Sequence, residues 1–345
     1  MKVIVKDRYA DFKDFFDDFY NVDKLAPERI SGQACGWTSS QLTRQPRQDP
    51  AGAPTQEEAM SLAYDVFVAN PKPIPGSVPG FEEAVGQATW PPSTSTLIWD
   101  EDGGLLVDCL ITEQEGRELA AWVNSLGGEP GYVYITHPHA DHFLALPQIL
   151  AAFPNAKPVA LADSIPAMEE QISPGYMRVW GGFFPGQLTG EPVAPAPLAG
   201  TTVPAGGTAA TVIPVGTTDT GHSSVVHVPG LSLVVSGDVV YNQTHMWLSG
   251  STPQTRASWA RALDAVAALD ARTIIAGHRD PRAADDDARR QIAECRRYLA
   301  DFEAALERSS NPAELIDQVT AAHPDLANPY TLWVAAYSLL GTHPD

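Results

Sequence analysis

The chain has 345 residues, 44% hydrophobic and 19% charged, enough to bury a sizeable core in one large or two ordinary domains. Its 22 basic against 42 acidic residues leave a formal net charge of -20. Such a surface repels phosphate backbones and anionic lipid, which excludes nucleic acid and the membrane as expected partners and leaves a small molecule.

Taken in chain order, residues 1–20 are aromatic and acidic, with Tyr9, Phe12, Phe15, Phe16 and Phe19 spaced as on a helix. Residues 31–55 read as loop, 56–69 as a helix, and 70–80 as a proline-punctuated connector. Residues 1–90 therefore form an expected accessory arm, suited to covering a pocket or joining two copies as a homodimer. Residues 91–345 form the expected catalytic domain. "STLIW" and "GLLVDCL" flank the turn "DEDGG" as two strands, a helix follows over 113–126, and "YVYIT" is the next strand. Residues 174–207, rich in Gly, Pro and aromatics, read as a long loop that could wall a substrate pocket. "TAATVIPVG", "SVVHVP" and "LSLVVSG" are β-like, 253–269 is helical, "RTIIAG" is a buried-type strand, and the rest is helical. Strands then helices occur twice, which suggests two sheets with helices outside. Three widely spaced cysteines (Cys35, Cys109, Cys295) fit neither a disulfide framework nor a C-x-x-C site. With no secretory apolar segment at the N-terminus, the expectation is a cytoplasmic protein.

The densest chemistry is "THPHADH", residues 136–142. Placed at a strand end, His137 and His139 can reach one ion, while Asp141 and His142 point to a second position nearby. Two later strands also end on ligand-type residues, Asp238 in "SGD" and His278 in "AGH". A lone histidine or aspartate at a strand end is more often structural; the ordered set is what counts.

That set, with Gly221-His222 between its parts, resembles the metallo-β-lactamase fold superfamily over about residues 94 to 280, nearest its glyoxalase II and lactonase side. The resemblance implies an αβ/βα sandwich of two mixed sheets with helices on the outer faces. It implies two divalent ions, zinc first, with iron or manganese as alternatives. His137, His139 and a third histidine would hold the first ion. Asp141, His142 and His278 would hold the second, with Asp238 bridging. A metal-bound hydroxide would then attack a small ester, lactone or thioester. Asp141 would orient it or take its proton. Asp108 matches the family's early strand-end aspartate, which supports the ligands from behind. Tyr241 lies where lactone-hydrolysing members carry a tyrosine that donates to the substrate carbonyl, and is open between that role and packing in the core. His245 is open between substrate binding and packing.

The third histidine departs from the pattern. Where the family has histidine directly after a strand and a glycine, this chain has Gly216-Thr217, and His222 stands five residues further on. Either the loop is rearranged so that His222 binds, or a ligand is lost. Two other functions stay open: a mononuclear iron enzyme of the same fold that oxidises sulfur, and a degenerate member that binds without catalysing.

Overall fold

The structure, a computed structural model, describes residues 61–74 and 88–341. Most of the expected arm, including its aromatic N-terminal helix and any role in dimerisation, lies outside the described residues.

The chain enters on strand β1 (Ala63–Val68), passes a small ribbon of β2 (Lys72–Pro73) and β3 (Thr89–Trp90), and forms the hairpin β4 (Thr94–Asp100) and β5 (Gly103–Val107). Helix α1 (Glu113–Leu126) follows, opened by a capping box between Thr112 and Glu115 and stopped by Gly127 in the left-handed region (φ 76). Next come β6 (Pro130–Ile135), α2 (Leu146–Ala152), β7 (Lys157–Ala160), α3 (Ile165–Gln171), α4 (Pro174–Phe183) and β8 (Ala196–Pro197). The second half carries β9 (Thr202–Ala205), β10 (Thr208–Gly216), β11 (Ser223–Val228), β12 (Leu233–Asn242), α5 (Pro253–Ala267) and β13 (Thr273–Arg279). It ends with α6 (Ala288–Arg308), α7 (Pro312–Ala322) and α8 (Pro329–Leu340).

Two sheets result, one in the order β1-β4-β5-β6-β7-β8 and the other β13-β12-β11-β10-β9. Strand alternation explains why they stack. Ile98, Leu105, Val107 and Tyr134 of the first sheet share one buried cluster with Val212, Val226, Val235 and Ile275 of the second. Their neighbours Leu97, Leu106, Val133 and Ile135 face the other way, onto Leu119 and Val123 of α1 and Ile149 of α2. Val225, Val234 and Ile274 likewise pack with Trp259 and Leu263 of α5 and Ile292 and Leu299 of α6. Helix, sheet, sheet, helix is the αβ/βα sandwich expected above.

Two local expectations are corrected. Residues 63–68 form a strand paired antiparallel with β4, not part of a helix. There Tyr64 and Val66 pack toward the inter-sheet cluster while Phe67 packs on the opposite side, a period of two that a helix cannot serve. Residues 174–207 are not one loop. Ser173 caps α4, on which Tyr176, Val179, Trp180 and Phe183 are buried at helical spacing, and β9 then pairs with β10.

Candidate metal centre

The two sheets meet at one edge, where the start of β4 approaches the end of β13. Ser93 and His278 make an isolated antiparallel bridge, and the Thr94 hydroxyl donates to the Ala276 carbonyl at 2.7 Å. At this seam each sheet delivers ligand-type side chains. Past β6, residues 140–142 tighten into a turn of 3-10 helix that carries Asp141 and His142 into the interior. From the second sheet come Asp238 of β12 and His278 of β13. The pairing of these two strands shifts register on either side of Asp238, between Val235 and Gly237 and again between Gly237 and Tyr241.

Seven side chains converge in two groups. His137, His139, Asp219 and Asp238 form one, and Asp141, His142 and His278 the other; within each group, one donor atom per residue lies within 4.8 Å of all the rest. In the first, Asp219 Oδ2 is 2.9 Å from His139 Nδ1 and 3.8 Å from His137 Nε2, and Asp238 Oδ2 is 3.9 Å from His137 Nε2. Asp238 also reaches the second group, with Oδ1 3.2 Å from His142 Nε2 and Oδ2 3.3 Å from His278 Nε2. Asp141 Oδ2 stands 3.2 Å from His278 Nε2.

A layer of partners behind the ligands aims them. Asp108 holds a left-handed backbone (φ 59) at the end of β5 and faces two ligands at once. Its Oδ2 accepts from His142 Nδ1 at 2.9 Å, and it accepts the Thr136 hydroxyl, whose oxygen lies 3.0 Å from His137 Nδ1. His278 Nδ1 donates to the Pro92 carbonyl at 3.3 Å. Three imidazoles thus have their Nδ1 engaged and present Nε2 inward, an arrangement that fixes tautomer and ring orientation. On the far wall, the Trp90 indole N–H donates to Asp141 Oδ2 at 2.9 Å. Trp90 packs within 6 Å of the Trp180, Phe183, Phe184 and Trp247 ring centres, and Trp90, Trp180 and Trp247 face the ligands across a narrow recess partly open to solvent.

The electrostatics fit a cation. Burial opposes charge on His142 and His278, yet Asp238 and the neighbouring carboxylates outweigh it, holding His142 well above the ordinary histidine range and His278 at about 9. Burial and the adjoining His142 push His137 down to about 4. Burial would raise the Asp141 carboxyl, but His142 and His278 hold it far below the usual carboxylate range. Four buried polar atoms (His137 Nε2, His142 Nε2, Asp219 Oδ2 and Asp238 Oδ1) make no hydrogen bond in the structure. They face one another as ion-pair partners without directed hydrogen bonds, an arrangement that coordinated divalent ions would complete.

Of the residues picked out from sequence, His137, His139, Asp141, His142, Asp238 and His278 are brought together, and Asp108 stands behind them. His222 is not. It is exposed at a left-handed position (φ 60), while its carbonyl accepts from the Ser164 hydroxyl at 2.9 Å. The loop after β10 turns Asp219 inward instead. The Thr218 hydroxyl donates to Asp219 Oδ1 at 2.7 Å and leaves Oδ2 free to face the histidines. Sequence reasoning missed Asp219 because it looked for histidine; an acid three residues past the strand end was the available signal. Trp90 was missed too, and a tryptophan before a proline pair carries no readable signal.

Tyr241 lines the recess, but its hydroxyl donates to Asp238 Oδ2 at 2.7 Å rather than into open space. Burial and then Asp238 push its pKa well above the ordinary tyrosine value, so it stays a donor. His245 is buried and does not line the recess; its Nδ1 lies 2.9 Å from the Tyr298 hydroxyl.

No curated protein matches the chain in sequence. Among solved structures, the metallo-β-lactamase DIM-1 exposed to ceftazidime aligns at TM-score 0.50 and 18% identity, covering 71% of this chain and 99% of that one. A metallo-β-lactamase from Pontibacter korlensis (TM-score 0.49, 18% identity) covers 71% of this chain and 100% of its own. FIM-1 from Pseudomonas aeruginosa in its mono-zinc form (TM-score 0.46, 18% identity) covers 71% and 98%. At such identities the likeness speaks for the fold alone. The family model described as "Metallo-beta-lactamase superfamily" matches residues 88–278, the span that holds every one of the seven converging side chains. With its fold, its donor set and this match in agreement, the chain belongs to the metallo-β-lactamase superfamily and carries the site of a metal-dependent hydrolase.

Proposed function

We propose that the protein holds two divalent ions and hydrolyses a small ester, lactone or thioester with an apolar acyl part. The carrying observation is the convergence of seven donor residues in two groups, with four of their buried atoms making no hydrogen bond. His137, His139, Asp219 and Asp238 would hold one ion, and Asp141, His142, His278 and Asp238 the other. Bound ions supply Lewis acidity toward a carbonyl and lower the pKa of water. The chain's own residues do the rest. Asp238 joins the two pockets, and the Tyr241 hydroxyl fixes the carboxylate that joins them. Asp141, with Oδ2 held by the Trp90 indole N–H, serves as ligand and orienting acceptor. The Trp90, Trp180 and Trp247 indoles lining the recess favour an apolar group.

Imidazole and carboxylate donors suit zinc, the first candidate, and also iron and manganese. The reading as a degenerate binder rested on a missing donor after β10, and Asp219 supplies a donor there. Two complete groups favour two ions over the single-iron reading. The acidic surface supports a small-molecule substrate over nucleic acid. No helix among the described residues is long and apolar enough to cross a membrane. Cys109 and Cys295 are free and buried, in keeping with the proposed cytoplasmic setting.

Metal analysis joined to an ester, lactone and thioester panel tests the proposal. The expected result is about two ions per chain and turnover that His137→Ala abolishes. Full metal occupancy with no turnover across the panel would sink it.

A further inference from the structure

We infer that Asp219 shifts the first pocket's preference away from zinc and toward an oxygen-preferring ion, manganese(II) or iron(II), relative to a pocket with a third imidazole there. The inference rests on the metal-dependent reading above and concerns which ion that reading takes.

Asp219 is built into place. Its side chain is 0% exposed, Oδ1 is pinned by Thr218, and Oδ2 faces His139 and His137 with no hydrogen bond. The Thr218 hydroxyl in turn lies 2.7 Å from the Ser223 hydroxyl, and the Thr218 N–H donates to the Thr220 carbonyl at 2.9 Å. Turn and carboxylate are therefore one unit, with His222 left outside. Since Asp238 reaches both groups, each pocket offers two imidazoles and two carboxylates. Exchanging an imidazole for a carboxylate moves a pocket from the donor that suits zinc and copper toward the one that suits magnesium and manganese. It also adds a negative charge in a buried place, where electrostatic attraction to an ion is strong. The donor exchange narrows zinc's advantage, and the added charge strengthens the hold on any divalent ion.

The test uses the full chain stripped with a chelator, titrated with manganese followed by electron paramagnetic resonance and with zinc followed by calorimetry. Wild type is compared with Asp219→His and with Asp219→Asn, which is nearly isosteric and guards against misfolding. The manganese-to-zinc affinity ratio at one site should be about 10-fold or more higher in wild type than in Asp219→His, and Asp219→Asn should weaken manganese there by a similar factor. Equal ratios in wild type and Asp219→His, or unchanged affinities in Asp219→Asn, overturn this inference and leave the hydrolase reading standing. A wild type that binds neither ion overturns both.

Discussion

Among single residues, Asp108 has the widest reach without facing the recess, because one carboxylate steadies both His142 and, through Thr136, His137. Asp108→Asn should lower affinity for both ions by about 10–100-fold, against the loss at one pocket expected when only one ligand is disturbed. Two-site titration distinguishes these outcomes. His222 gives the opposite expectation, and His222→Ala should change metal content and turnover by less than about twofold. His245 carries a pH signature. Burial, then repulsion from His323, lowers its pKa to about 4, against 6.5 for a free histidine. Between those values the unfolded chain takes up a proton that the folded chain refuses. Stability from this residue is therefore full above pH 6.5 and falls toward pH 4, by up to about 3 kcal/mol. Denaturant unfolding of His245→Phe across that range should show a shallower acid slope than wild type, whatever its stability at neutral pH.

At the scale of elements, close backbone approach places the Asp238 carboxylate. A Cβ on Gly277 would sit 2.3 Å from Asp238 Oδ1, so β12 and β13 can run side by side at the centre only because Gly277 has none. Gly277→Ala should weaken metal binding by at least ~10-fold. Gly181→Ala on α4, where nothing lies within 4 Å of the added carbon, should leave it unchanged. The same scale explains what could be read in advance. β4, β5, β6 and β13 alternate or run apolar between clear turns, and the ligands at their ends were legible with them. β1 was not, because its half-exposed face offers Tyr, Asp and Val at an edge, preceded by helix-forming residues. Helix α4 was hidden by Gly181, Gly182 and a proline, although Ser173-Pro174 and the spacing of Tyr176, Val179, Trp180 and Phe183 signal it in hindsight. Asp219 depends on how the six-residue turn 217–222 folds, and no periodicity speaks to that.

Across the whole molecule, the two sheets share an apolar interface, and their polar edges meet at the seam beside β4 and β13. His137, His139, Asp141 and His142 belong to the first half of the sandwich, and Asp219, Asp238 and His278 to the second. An ion held there is a cross-link between halves that are otherwise joined by contacts and one stretch of chain. Ligand binding to the folded state alone raises stability by mass action, about 4 kcal/mol at a thousandfold excess over Kd. Chelation should therefore lower the melting temperature by several degrees, and amide exchange should quicken first around residues 92–94 and 276–279. The site would then be a rivet as well as a workbench, and a cell starved of metal would hold a protein that is loosened along its seam before it is idle.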